Sequence, residues 1–197
     1  AGMICLGKTT LSEFAYSGLG INPIFGTPAN GADGEVERVP GGSSSGAAVS
    51  VTNGLAPAGI GSDTGGSVRI PAALNGIVGL KTTIGLLPLD GILALSPTFD
   101  TIGPLTYDVA DANAIFAILN ETRPHDLSGA SLDGIRLLKP KDVMYDDLDA
   151  TVTGAIAAAL DHLSNAGAEI VETAVPEFGE AFEHVARHGN IISAEAY

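Results

Sequence analysis

Apolar and polar positions divide the chain into short segments with different periods. MICLG at 3–7 is an apolar run of buried-strand type, and TLSEFAYS at 10–17 has helical spacing, with Thr9 or Thr10 as its cap and Glu13 in its first turn. Residues 20–41 show no period and are rich in Gly, Pro and Asn, which predicts a long loop, functional or ordered by its neighbours. SSGAAVSVTNG at 44–54 predicts a small-residue helix stopped at Asn53-Gly54, and LAPAGIGSD at 55–63 a buried strand. A second short helix is expected from Ser67 to Leu74 and a strand over IVGLKTT at 77–83.

The second half alternates more regularly. Val109, Ala112, Ile115, Phe116 and Leu119 recur at helical spacing within 107–119. IRLLKP at 135–140 predicts a strand, and Asp149 to Asn165 a helix with Val152, Ile156, Leu160 and Leu163 on one face. AEIVETAVP at 168–176 predicts another strand, followed by a helix from about Pro176. A strand–helix–strand run of this kind implies a right-handed crossover, so the fold class is α/β.

Composition narrows the picture. Of 197 residues 45% are apolar but only 5% aromatic, and Gly reaches 26, which suits close helix–sheet packing. The net charge of −14, with nine Lys and Arg in all, argues against nucleic-acid or anionic membrane surfaces. No apolar run reaches the roughly 18 residues of a membrane span, and no signal-peptide pattern opens the chain, so a cytoplasmic enzyme is expected. Cys5 cannot form an intrachain disulfide and reads as a buried, inert thiol.

Two glycine–serine clusters carry the candidate chemistry: PGGSSSG at 40–46 and GSDTGGSVR at 61–69. Helix capping explains a serine after paired glycines, and an anion cradle is a second explanation. No P-loop and no GxGxxG accompany them. Thr64, Gly65, Gly66 and Ser67 at a loop-to-helix junction can direct successive N–H groups at one oxyanion, with the Ser67 hydroxyl placed as nucleophile. Asp63 and Arg69 are close enough to brace that turn. The four histidines, 125, 162, 184 and 188, lie far downstream, so a Ser–His–Asp triad has no support. His184 and His188 share a helical face without an HExxH pattern, and Asp146, Asp147 and Asp149 lack calcium-loop spacing; both sets read as solvated surface.

PGGSSSGAAVSV at 40–51 and GSDTGGSVRIPAALNGIVGLK at 61–81 resemble the amidase signature family, as do the flanking GKTTLSEFA at 7–15 and LSPTFDTIGPL at 95–105. The resemblance is specific over about residues 1–120 and looser beyond. Ser45 stands where the family's motif usually has Gly, and Thr82 where Pro is common. The resemblance implies a mixed central sheet flanked by helices. It implies a Ser–cis-Ser–Lys mechanism in which Ser67 attacks, Ser43 follows a cis peptide and relays the proton, and the N–H groups of Thr64 to Ser67 hold the oxyanion. Ser44, Asp63 and Arg69 then act as supports. No metal or organic cofactor is implied, and the substrate is a small-molecule amide.

The family's catalytic lysine lies in a motif upstream of GKTT, so the resemblance implies that it is outside this chain; Lys8, in GKTTLSEFA, belongs to a supporting segment. AGMICLG reads like an interior strand and HGNIISAEAY stops within a helical pattern. Residues 1–197 are therefore expected to be part of a single amidase domain truncated at both ends, inactive alone. The alternatives are the A subunit of a glutamyl-tRNA amidotransferase, which requires partner subunits, and a non-catalytic fragment or scaffold. A homodimer is the further expectation for a stand-alone amidase.

Overall fold

The computed structural model describes residues 2–196. The chain divides into two compact units, one running up to His125 and resuming at Ile191, the other Asp126–Asn190.

The first unit is built on a three-stranded antiparallel sheet. Helix α1 (Ser45–Thr52) is followed by β1 (Ala58–Ser62), α2 (Arg69–Asn75), β2 (Val78–Gly79), β3 (Ile102–Thr106) and α3 (Val109–Leu119). The strand order is β1-β3-β2, with Ile60 opposite Pro104 and Val78 opposite Thr106. The core is made of small side chains: Ala47, Ala48, Val68, Ala72 and Leu105 are buried together, with Ile77 packed against them.

Glycines let the helices sit directly on the sheet. A β-carbon at Gly61 would lie 2.8 Å from Ser44 Cβ and 3.0 Å from Val68 Cγ2. Gly61→Ala is expected to destabilise this unit by about 1–3 kcal/mol through overpacking. Urea unfolding checks it; a variant as stable as the parent would contradict this packing.

Four expectations fail in this unit. MICLG forms no strand, since no described segment offers it a ladder partner; Ile4 and Leu6 are 87% and 70% exposed, and Cys5 is exposed rather than buried. The helix over 10–17 is reduced to a single 3-10 turn, Glu13–Ala15, with Phe14 and Ala15 at φ of 53° and 58°. Its carbonyls and amides bond elsewhere: Gly46 N–H donates to Thr10 O (3.0 Å) and Ser12 N–H to Ser43 O (3.0 Å), in competition with a helical ladder. The strand over 77–83 shrinks to Val78–Gly79. The central strand of the sheet, β3, arises from LSPTFDTIGPL, a segment whose pattern predicts no strand.

The second unit follows its pattern closely. Parallel strands β4 (Arg136–Pro140) and β5 (Glu169–Thr173) are joined by α4 (Ala150–Asn165), with Leu138 opposite Val171. Asp149 caps α4 by accepting from Thr151 N–H at 2.7 Å. Helix α5 (Pro176–His188) has Pro at its start, the position where a missing N–H costs least. The chain then rejoins the first unit as α6 (Ile191–Glu195). Among the described residues no helix is long and apolar enough to cross a membrane.

Candidate active site

The first serine cluster sits at the start of α1 and is held by backbone bonds from its neighbours and by its own hydroxyls, Ser45 Oγ donating to Thr10 O at 3.4 Å. Ser43, Ser44 and Ser45 are all buried. The Gly42–Ser43 peptide bond is cis, as the resemblance implies. Ser12 N–H fixes the Ser43 carbonyl and Gly42 N–H donates to Gly18 O at 2.8 Å, so GKTTLSEFA and its following loop clamp the cluster. A β-carbon on Gly42 would come within 2.6 Å of both Ser12 Oγ and Ser17 O, so this position admits glycine alone. Lys8, in the same segment, is exposed.

The second cluster turns from β1 into α2 around one carboxylate. Asp63 is fully buried, and its two oxygens accept from Gly66 N–H (2.8 Å), Val68 N–H (3.2 Å), Arg69 N–H (3.3 Å), Arg69 Nε (3.0 Å) and Arg69 Nη2 (2.9 Å). It does for α2 what a cap residue would do, from six residues upstream. Burial pushes its carboxyl up, but the bonds from Arg69 and from the backbone outweigh burial and hold it below the ordinary carboxylate value. Arg69 is pushed up in turn by its bond to Asp63. The expected bracing pair is present. Gly66, at φ 129°, takes a backbone conformation that side chains other than hydrogen rarely adopt.

The two clusters meet. Ser44 N–H donates to Ser67 O at 3.1 Å, and Ser44 Oγ donates to Ser62 O at 3.3 Å, so the residue after Ser43 is tied to Ser67 and to the strand leading to it. Ser67 is half-buried. Of the loop amides, Gly66 N–H is committed to Asp63, whereas those of Thr64, Gly65 and Ser67 donate to no protein acceptor among the described residues. That pattern leaves polar hydrogen free beside a serine hydroxyl, the arrangement that stabilises developing negative charge on a carbonyl oxygen.

Three further supports lie outside the sequence-based expectations. Asn75, at the end of α2, donates to Pro40 O (2.7 Å) and Pro71 O (2.8 Å) and accepts from Gly31 N–H (2.9 Å), anchoring the first cluster to the second helix. Asp100 accepts from Thr64 Oγ1 at 2.5 Å, and Thr101 Oγ1 donates to Asp63 O at 2.6 Å. Asp100 and Thr101 lie within LSPTFDTIGPL, and Asn75 within the longer glycine motif; their polar character among apolar neighbours is the available signal. A cavity of about 870 Å³ is lined by Tyr16, Ile21, Ser62, Leu93, Asp100 and Thr101 among others, but not by Ser43 or Ser67.

The remaining candidates are elsewhere occupied or exposed. Lys81 Nζ donates to Thr82 O at 2.8 Å, and in the second unit Lys139 and Lys141 face Glu172 at 2.6 and 3.9 Å. His184 and His188 stack obliquely on the exposed α5, ring centroids 4.6 Å apart; no group of three or more metal-ligating side chains occurs among the described residues.

A profile of the Amidase family matches residues 1–196. The chain is 43% identical over 195 residues to 2-amino-5-chloromuconic acid deaminase of Comamonas testosteroni, covering 98% of this chain and 42% of that protein. It is 38% identical over 189 residues to the A subunit of glutamyl-tRNA(Gln) amidotransferase from Symbiobacterium thermophilum, covering 89% of this chain and 38% of the relative. The crystal structure of the corresponding Thermotoga maritima protein superposes with a TM-score of 0.85 at 34% identity, over 96% of this chain and 44% of that one. The chain thus spans about two-fifths of the length of the curated relatives it matches.

Proposed function

The chain belongs to the Amidase family, and from that premise we propose that the whole protein is an amidase that hydrolyses a carboxamide C–N bond through an acyl-Ser67 intermediate. The observation that supports it most is the Ser44 N–H to Ser67 O bond, which brings together two serine clusters separated in sequence. Ser67 Oγ attacks the carbonyl carbon, and its proton passes to Ser43 Oγ as Ser43 gives its own to a base. The N–H groups of Thr64, Gly65 and Ser67 hold the oxyanion; Gly66, whose amide is held by Asp63, contributes the turn. Collapse of the tetrahedral intermediate breaks the C–N bond, the leaving nitrogen takes a proton from Ser43, and water then hydrolyses the ester. The base is a lysine outside residues 1–197, as the resemblance to the amidase signature family implies. A neutral lysine suits the task because desolvation lowers its pKa.

This reading requires neither metal nor organic cofactor and takes residues 1–197 as part of one amidase domain, in a cytoplasmic protein that acts on a small molecule. A second reading, the glutaminase component of an amidotransferase, has the support of the amidotransferase relatives. It requires partner subunits, where the first allows a homodimer. Ammonia release by the whole protein from a panel of simple carboxamides, glutamine and an aminomuconic acid separates them. Turnover of carboxamides by the protein purified alone supports the first. Turnover of glutamine only in the company of copurifying partners supports the second, and no ammonia from any of these would overturn both.

A further inference from the structure

The Glu195 carboxylate, on α6, accepts from three donors of one distant turn: Ser96 Oγ at 2.5 Å, Thr98 Oγ1 at 2.5 Å and Thr98 N–H at 3.1 Å. Ser96 is fully buried, and its N–H, with that of Leu95, donates to Asp100 Oδ2 at 3.0 and 2.8 Å. The other oxygen of Asp100 holds Thr64 Oγ1. A continuous run of hydrogen bonds therefore leads from Glu195 through Ser96 and Asp100 to the first residue of the Thr64-Gly65-Gly66 loop. The same helix meets that loop a second time, since a β-carbon on Gly65 would stand 3.7 Å from Ile192 Cδ1.

The physical need for such a brace is plain. A loop containing two successive glycines has little side-chain packing of its own, yet oxyanion donors act only when held in place before the reaction. Thr64 supplies the loop's one polar side chain ahead of Ser67, and its hydroxyl is anchored on Asp100. Asp100 can anchor it only while the 95–98 turn is itself held, and Glu195 grips that turn from outside. The bonds from Ser96 and Thr98 hold the Glu195 carboxyl below its ordinary value, consistent with a carboxylate that stays charged in this role.

We propose that Glu195 is a positioning residue for the oxyanion-binding loop, acting through Ser96, Asp100 and Thr64 without touching substrate. The inference rests on the reading of Thr64 to Ser67 as that loop. Its test is a double-mutant cycle in the whole protein with Glu195→Ala and Thr64→Val. Glu195→Ala is expected to lower kcat roughly 10- to 50-fold, a fraction of what removal of a whole oxyanion donor costs, with KM little changed. In the Thr64→Val background the same substitution is expected to cost little, because the brace then ends on nothing. A KM rise at unchanged kcat, or losses that multiply fully, would overturn the proposal. If Glu195→Ala loses its fold by circular dichroism, Glu195→Gln in the same cycle gives the same two readings. Ser67→Ala run alongside separates the two levels: an active Ser67→Ala defeats the loop reading itself, whereas an inactive one with multiplicative losses defeats only the role of Glu195.

Discussion

Ser67→Ala is expected to reduce amide turnover by the whole protein by about 10⁴-fold or more, the scale seen when a serine hydrolase loses its nucleophile. The loss has a narrow physical cause. Alanine keeps the backbone N–H and the carbonyl that accepts from Ser44, so the junction between the two serine clusters survives. The side chain is half-buried and contributes one hydroxyl, so stability should change by no more than about 0.5 kcal/mol. Activity and stability therefore separate cleanly. Mass spectrometry after exposure to a fluorophosphonate checks the assignment: the parent gains one adduct on the peptide carrying Ser67, and the variant gains none. An adduct formed at the parent's rate in Ser67→Ala would place the nucleophile elsewhere.

Asp63→Asn should reduce both stability and turnover. The wild-type carboxylate is buried and receives two buried backbone N–H groups besides Arg69. An amide of the same shape turns an NH₂ group toward donors, leaving at least one of them unpaired. A loss of about 2–3 kcal/mol is expected, at or below the least that breaking a fully buried pair costs, because the Arg69 side chain is 52% exposed and reaches water. Release of Gly66 frees the loop, so kcat should fall by about 100-fold.

The pH dependence of that loss has a definite sign. The folded Asp63 carboxyl lies below its ordinary 3.8. The stability that Asp63 contributes is therefore complete above about pH 4 and is lost as pH falls through the folded value. Urea melts of parent and variant between pH 3 and 7 should show a constant difference down to about pH 4 and a shrinking one below. A difference that shrinks between pH 7 and 5 would contradict the assignment of the carboxylate.

Much of this site is legible in the sequence. Period and punctuation place α1, β1, α2, α3, β4, α4, β5 and α5 to within a few residues, because each of those segments agrees with its own local preferences: alanine in α1, an aspartate cap before α4, proline at the start of α5. The Asp63–Arg69 pair is legible for the same reason, since six residues of turn leave the two side chains little choice. Gly66 beside Ser67 announces a tight turn.

Tertiary structure decided what local preference could not. TLSEFAYS has helical spacing, but Thr10 O and Ser12 N–H are taken by Gly46 and Ser43, and a backbone group bonded across the fold is withdrawn from its own helix. The apolar run of MICLG finds no partner strand among the described residues, and Cys5 stays exposed with it. β3 sits at the middle of the sheet although its sequence, IGPLT, has no alternation: Gly103 to Thr106 are all buried, so residues on both of its faces are covered and neither face needs polar side chains. Glu195 is the extreme case. It is one acidic residue in an ordinary helical stretch, and its reach to Ser96 spans 99 positions. Composition, charge and the chemistry of the glycine–serine clusters were determined by the sequence itself, since they depend on neighbours a few residues apart. Which carboxylates hold those clusters in shape was decided by the fold, since that depends on residues the chain brings together only once it has closed.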